Sequence, residues 1–160
     1  MARLLDFPNP VNEKAARSVA AGVLALSLIT VVTGWWWLTV PLAYGFVARV
    51  LAGPRFSPLG RLATRVVAPR LGAPKLVPGP PKRFAQGVGV VFSLAGLVLA
   101  FAGQQTAATV ILVVLAVFAG LESIVGFCAG CYVFGHLMRL GVIPEDTCEA
   151  CADIRLRQSA

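Results

Sequence analysis

Two Cys-x-x-Cys motifs lie in the last fifth of the chain. The first is Cys128-Ala129-Gly130-Cys131, and the second is Cys148-Glu149-Ala150-Cys151. Cysteines at this spacing serve thiol–disulfide exchange, sulfur transfer and metal binding, because the two sulfurs can reach one another or one shared ion. Since all four cysteines lie at one end of the sequence, they do not form a disulfide framework that staples the whole fold.

The first motif supports two interpretations. On a helix, Cys128 and Cys131 share one face and can act together as a redox pair, with Cys131, nearer to water, expected as the attacking thiol and Cys128 as the resolving one. Gly126 and Gly130, however, are four residues apart, a pattern typical of close helix packing. Cysteine is also a frequent buried apolar residue. Function and packing therefore both stay open.

The spacing between the two motifs adds a metal alternative. Sixteen residues separate Cys131 from Cys148, which fits the C-x₂-C-x₁₅₋₂₀-C-x₂-C spacing of four-cysteine zinc sites. One hypothesis is a zinc site formed by Cys128, Cys131, Cys148 and Cys151. A dithiol relay between the pairs, and a second pair with no shared chemistry, are the other two.

Two further residues are candidates for chemistry. Glu122 is the one acidic residue inside an apolar segment, and an intramembrane carboxylate is a functional candidate by default. We favour the alternative that it forms an ion pair with Arg49 or Arg83. His136, the single histidine, does not share a helix face with either motif cysteine and is expected on a helix surface. Nucleotide loops, zinc-protease motifs and a serine triad are missing from the sequence, so we expect no independent catalytic activity.

The composition sets the kind of element that must position these residues. Of 160 residues, 58% are hydrophobic and only 13% are charged, whereas soluble domains carry about 45–50% apolar and about 25% charged residues. This excludes a water-soluble globular domain and a disordered chain. The net charge of +7 is expected to face anionic headgroups of the lipid bilayer and not nucleic acid.

Apolar segments predict four transmembrane helices, at about residues 13–33, 35–51, 83–103 and 106–127. The first follows Asn12 as its N-cap. The second is short for a hydrocarbon core of about 30 Å, and Pro41 is expected to kink it. The fourth has the alternative of continuing to residue 140. The transmembrane domain is then 1–140, followed by a polar cytoplasmic tail at 141–160.

The connection between the second and third spans predicts an amphipathic helix. Ser57 is its expected N-cap, and Pro58 its first residue. Its apolar positions recur at helical spacing while two arginines lie on another face, so it either lies in the headgroup plane or packs on the spans. Residues 78–81, Pro-Gly-Pro-Pro, predict an extended connector. The apolar positions are Leu59, Leu62, Ala63 and Val66, and the arginines are Arg61 and Arg65.

The distribution of basic residues predicts the topology. The turns at residues 33–35 and 103–106 carry no Lys or Arg. With four spans, the basic segments fall on one side, which the positive-inside rule assigns to the cytoplasm, together with both termini. The basic residues are Arg3, Lys14 and Arg17; Arg49, Arg55, Arg61, Arg65, Arg70, Lys75, Lys82 and Arg83; and Arg139, Arg155 and Arg157.

Three stretches of the sequence carry a family resemblance. They are Phe-Pro-Asn-Pro-Val-Asn-Glu at 7–13, Gly-Pro-Arg-Phe-Ser-Pro-Leu-Gly at 53–60 with Pro-Pro-Lys-Arg-Phe-Ala-Gln at 80–86, and Gly-Phe-Cys-Ala-Gly-Cys at 126–131. Over about residues 7–140 the chain resembles an uncharacterised family of small bacterial integral membrane proteins, often actinobacterial, whose most specific motif is Phe-Cys-x-Gly-Cys. The resemblance implies a compact four-helix membrane protein. It also favours a thiol function, and it does not extend to Cys148 and Cys151.

The sequence therefore predicts an all-α protein of the bacterial inner membrane, with four transmembrane helices and a cytoplasmic interfacial helix between the second and third. The leading hypothesis is a redox or sulfur-transfer component that uses Cys128 and Cys131. Its expected partner is a cytosolic thioredoxin-like or sulfurtransferase-like protein, or a larger membrane complex. The alternative is a structural or accessory subunit whose cysteines pack or bind zinc.

Overall fold

The computed structural model describes residues 7–148, which are mostly helical. Short 3₁₀ turns at Trp36–Leu38, Gly53–Arg55 and Glu145–Cys148, and π-helical turns at Ala63–Val67 and Leu121–Val125, connect or extend the main elements. In chain order those elements are β1 (Val11–Asn12), α1 (Glu13–Thr33), α2 (Thr39–Ala52), α3 (Pro58–Leu62), α4 (Ala68–Arg70), β2 (Leu76–Val77), α5 (Gly79–Phe101), α6 (Gln105–Gly120) and α7 (Ala129–Arg139).

Helix α1 begins and ends where the sequence predicts. Asn12 Oδ1 accepts a hydrogen bond from the Lys14 N–H at 3.0 Å, which satisfies one of the free donors of the first turn. At the other end Gly34 adopts φ +70° and its N–H bonds Thr30 O at 2.9 Å. Glycine reaches this left-handed conformation without strain, so the helix stops there.

Within residues 7–148, three helical segments are long and apolar enough to cross a membrane. They are Glu13–Thr33, Gly79–Phe101 and Gln105–Val125. The predicted fourth span is represented by α2, which has 14 residues, fewer than the roughly 17–25 that a span requires. The count of four spans is therefore not confirmed. Pro41 lies in the first turn of α2, where a proline is tolerated, and not at a mid-helix kink.

The segment after α2 packs partly on the other helices. Ser57 is the N-cap of α3, as predicted, and its Oγ accepts the Gly60 N–H at 3.2 Å. Leu59 and Ala63 pack into the main hydrophobic core, but Leu62 is 52% and Val66 is 38% exposed. The predicted apolar stripe is thus divided between core and surface, and an amphipathic interfacial helix is not confirmed.

Helix α5 begins earlier than predicted. Residues 79–81 form its first turn, with Pro78 as the N-cap, where the sequence predicts an extended connector. The prolines fit because the first turn of a helix leaves its N–H groups unpaired in any case. This earlier start brings Lys82 into the helix, where it is buried.

The helices form one bundle with its basic segments at one end. Helix α5 packs against α2, α6 and α7, while α1 packs against α6. At the basic end, β1 pairs antiparallel with β2, and the Lys14 Nζ donates to Leu71 O at 2.8 Å. Arg17 donates to Ser123 O at 3.1 Å. These bonds bring the N-terminal segment, the central connection and the end of α6 together.

Candidate thiol site

The chain turns sharply just before the first cysteine motif. Gly126 adopts φ +80° and closes the π-helical turn, since its N–H bonds Leu121 O. Arg17 donates to the carbonyls of Ser123 and Ile124 at 2.8–3.2 Å, which satisfies acceptors that the helix end leaves free. The predicted continuation of the fourth span to residue 140 is therefore wrong, and α7 is a separate helix.

Cys128 is the N-cap of α7. Its Sγ accepts the backbone N–H of Cys131 at 3.3 Å, so the sulfur lies at the positive end of the helix. The two thiols occupy one helix terminus, and both are half-buried and free. The two cysteines lie together, as the sequence predicts. They do so because Cys128 is the N-cap that precedes α7 while Cys131 lies in its first turn, and not because both lie inside one helix.

The two thiols differ in acidity. The hydrogen bond from the Cys131 thiol lowers the pKa of Cys128, and the backbone N–H of Cys131 and the Lys82 ammonium act in the same direction. The same thiol–thiol hydrogen bond, together with burial, raises the pKa of Cys131. These opposite directions favour ionisation of Cys128 over Cys131, whereas the sequence predicts Cys131 as the attacking thiol. The choice of attacking thiol is therefore part of the proposed function.

A buried ion pair lies beside the motif. Lys82 Nζ is 2.7 Å from Glu122 Oε1, and their side chains are 10% and 15% exposed. The preferred prediction that Glu122 forms an ion pair is therefore met, but its partner is neither Arg49 nor Arg83. The reason is the early start of α5, which turns Lys82 inward towards the π-helical turn that carries Glu122.

The two arginines expected to pair with Glu122 are engaged elsewhere. Arg49 Nε donates to Gln86 Oε1 at 2.7 Å, and its Nη1 donates to Ser57 Oγ at 3.1 Å. Its guanidinium lies 4.5 Å from the centre of the Phe46 ring, a favourable cation–π distance. Arg83 Nε donates to Val50 O at 3.1 Å.

The close packing predicted for the glycines is found at one of them. A Cβ on Gly130 would lie 2.6 Å from both Cα and Cβ of Ala85. The absence of a side chain therefore allows α7 to approach the backbone of α5. Gly126 has a different role, because it forms the left-handed turn.

A largely apolar cavity of about 380 Å³ adjoins the thiols. It lies among α1, α2, α5, α6 and α7, and Cys128 and Gly130 form part of its wall. Its aromatic lining consists of four phenylalanines, while Gln86 and Glu122 supply polar groups. The phenylalanines are Phe46, Phe84, Phe92 and Phe118.

Only Cys148 of the second motif lies among the described residues. Cys148 is disulfide-bonded and packs with Phe134 and Met138 in a small hydrophobic cluster. Cys151 lies outside the described residues. Within residues 7–148 no group of three or more His, Cys, Asp or Glu residues could hold a metal ion. The four-cysteine zinc site, which needs Cys151, stays a prediction.

His136 lies where the sequence predicts, on the exposed face of α7. Its ring meets that of Tyr132 edge-on, with 4.5 Å between ring centroids. The sequence places Lys82, with Arg49 and Arg83, among the cations at the membrane face of the cysteine pair, but it does not predict the pairing of Lys82 with Glu122 or a role for Gln86. The signal that could have found them is their spacing of four residues, which places both on one face of a helix that begins at Gly79.

Comparison with known proteins gives a family without an assigned activity. The chain matches no curated protein and no solved structure. A family model described as "Domain of unknown function (DUF4395)" matches residues 11–139. This match covers most of the sequence, including α1 to α7 and the first cysteine motif. The chain therefore belongs to the DUF4395 family.

Proposed function

We propose that this chain is a membrane protein whose Cys128–Cys131 pair exchanges electrons with a dithiol of a cytosolic, thioredoxin-like partner. The observation that carries this proposal is the position of Cys128 at the N-cap of α7, with its Sγ accepting the Cys131 N–H. A helix N-terminus stabilises negative charge. It therefore favours the thiolate, which is the attacking form in disulfide exchange.

The two cysteines have distinct roles in this exchange. The Cys128 thiolate attacks one sulfur of a partner disulfide, which forms a mixed disulfide and releases one partner thiolate. Cys131, after losing its proton, attacks Cys128 Sγ. This forms the Cys128–Cys131 disulfide and releases the second partner thiol. In the reverse sequence, a partner dithiol reduces the Cys128–Cys131 disulfide and is itself oxidised to a disulfide.

Neighbouring residues support the thiolate and its access. Lys82 lowers the pKa of Cys128, while Glu122 opposes this effect and holds the lysine in place. The surface around the start of α7 is apolar and open, because Phe127 is 43% and Tyr132 is 58% exposed. Such a surface suits a partner that must bring its own sulfur to a half-buried thiol.

The proposed topology has four crossings with the thiols at the cytoplasmic end. In the bundle, the turns at Gly34 and Gly103 lie at the end opposite to the Arg17–Ser123 contact, since each follows one full spanning helix. Among the described residues, the basic segments before α1 and between α2 and α5 thus lie at one end, which supports a cytoplasmic placement of that end under the positive-inside rule. The short α2, with the 3₁₀ turn before it, would make the fourth crossing.

Alkylation of single thiols tests the proposal. In a Cys148→Ser/Cys151→Ser background, the rate of iodoacetamide labelling is measured by mass spectrometry for Cys131→Ser and Cys128→Ser. We expect Cys128 to react faster, and its half-maximal rate to fall at a lower pH than that of Cys131. Equal and slow labelling of both thiols, like that of a buried cysteine, would contradict the proposal.

A second candidate function is an accessory subunit in which the motif only packs. The contact between Gly130 and Ala85 favours it, because this contact alone accounts for a glycine in the motif. This candidate predicts that both motif cysteines tolerate serine without loss of function in the cell. The redox proposal predicts that either serine variant abolishes it.

A further inference from the structure

The cavity beside Cys128 has the size and lining of a small-molecule site. Its volume of about 380 Å³ lies within the range of about 300–1,000 Å³ that is usual for ligand pockets. Phe92 and Phe118 meet edge-on in its wall, with 6.4 Å between ring centroids. Aromatic walls of this kind suit a flat apolar ring.

The cavity reaches the outer surface of the bundle on its apolar side. Val88, Phe118 and Val133 all line it and are 36%, 43% and 46% exposed. Val88 and Phe118 belong to helical segments long enough to cross a membrane. In the bilayer such exposed apolar residues face lipid, so the mouth of the cavity admits a molecule dissolved in the lipid phase.

The cavity lining also includes polar groups and the thiol of Cys128. Gln86 lines it, and because its Oε1 accepts from Arg49 Nε, its amide NH₂ is left to donate. Glu122 lines the same cavity and is fixed by Lys82 at 2.7 Å. A ligand here meets a hydrogen-bond donor, a carboxylate and Cys128.

We infer that the cavity binds a quinone from the lipid phase and that this quinone oxidises the Cys128–Cys131 pair. The inference rests on the proposed function and names the electron acceptor of that same site. A quinone fits because its ring is flat and apolar, its carbonyls accept hydrogen bonds, and it takes up two electrons. A dithiol that closes to a disulfide releases the same number.

The reaction balances without another reagent. The two thiols lose two electrons and two protons as the S–S bond between Cys128 and Cys131 forms. The quinone takes up both electrons and both protons, and two O–H bonds form on the quinol. Cys128 lines the cavity that would hold the quinone, so the electrons and protons pass to a ligand that lies against the thiol pair.

The experiment uses the full-length chain with Cys148→Ser and Cys151→Ser in phospholipid nanodiscs, reduced beforehand and freed of reductant, so that Cys128 and Cys131 supply all of its thiols. Decylubiquinone is added, quinone loss is followed by ultraviolet absorbance, and the Cys128–Cys131 disulfide is measured by mass spectrometry. A parallel sample receives oxidised glutathione, which tests the thiol pair without the cavity. We expect disulfide formation in both samples and one quinol for each disulfide in the first.

Paired variants on α5 test the cavity. Val88→Trp fills its mouth, whereas Val91→Trp adds the same side chain one turn further along, at a position that is 66% exposed and does not line the cavity. We expect Val88→Trp to lower the ratio of the quinone-driven to the glutathione-driven rate about tenfold or more. Val91→Trp is expected to keep the ratio of the parent protein.

The outcomes separate the two proposals. A parent protein that forms its disulfide with oxidised glutathione but reduces no quinone would overturn the quinone inference alone. Equal ratios for the two tryptophan variants would remove the cavity as the site. If neither oxidant closes the Cys128–Cys131 disulfide, both the inference and the proposed function fail.

Discussion

Helix α7 offers a matched pair of glycines that tests how tightly the thiol site is packed. A Cβ added at Gly130 would lie 2.6 Å from Cα and Cβ of Ala85, but a Cβ added at Gly135 would meet no atom within 4 Å. Carbon atoms in normal contact lie about 3.5–4.0 Å apart. Because both atoms of Ala85 are fixed to the α5 backbone, Gly130→Ala must move α7 away by about 1 Å.

The two substitutions should therefore change stability in opposite directions. Overpacking of this kind costs about 1–3 kcal/mol. Replacing an unhindered helical glycine by alanine stabilises by about 0.4–1 kcal/mol, since it restricts the unfolded chain. The two variants should thus differ by about 1.4–4 kcal/mol, with Gly130→Ala the less stable.

Thermal unfolding of the detergent-solubilised protein measures this difference, at about 2–4 °C for each kcal/mol in a chain of this size. Alkylation of Cys128 in the Gly130→Ala variant shows whether the helix terminus has moved. If Gly130→Ala matches the wild type in Tm, or is as stable as Gly135→Ala, the close approach of α7 to α5 is refuted.

Three further predictions address the ion pair, the turn and the topology. Glu122→Gln should lower the free energy of unfolding by about 3–5 kcal/mol, because it leaves the Lys82 charge buried without a partner. Adding Lys82→Met should recover most of that loss in chemical denaturation. Equal stability of the single and double variants would contradict this. Gly126→Ala should lower the free energy of unfolding by about 1–2 kcal/mol, and Gly126→Asn should lower it by less, since asparagine tolerates a positive φ better. Equal Tm values for the two variants would show that the turn is not left-handed. In a cysteine-free background, a cysteine at Gln104 should react with an impermeant reagent from the periplasmic side and one at Pro74 should not. Labelling of both from the same side would show that α5 does not cross the membrane, which contradicts the four-span topology.

Local signals were sufficient for the first helix. Asn12 followed by Glu13, and then a long apolar run before Gly34, specify α1 without help from distant residues, because a cap, a first-turn acid and a glycine stop act within a few residues. The chain break before the thiols was not predicted in the same way. Gly126 inside an apolar run can continue or end a helix, and Arg17 satisfies the exposed carbonyls from another helix.

The ion pair shows a second limit of local reasoning. Whether Glu122 meets Lys82, Arg49 or Arg83 depends on which turn of α5 faces α6, and that depends on where α5 begins. The prolines at residues 80 and 81 are compatible both with an extended connector and with the first turn of a helix. The packing of the bundle selects the second arrangement, which also places Gln86 on the cavity wall.

A redox titration of the first cysteine motif tests the central claim most directly. The full chain in nanodiscs is equilibrated with mixtures of reduced and oxidised dithiothreitol, quenched with acid, alkylated and analysed by mass spectrometry. The account predicts a reversible disulfide between Cys128 and Cys131 that follows a two-electron transition and disappears in Cys128→Ser and in Cys131→Ser. Motif thiols that stay reduced across the whole range of mixtures would contradict it.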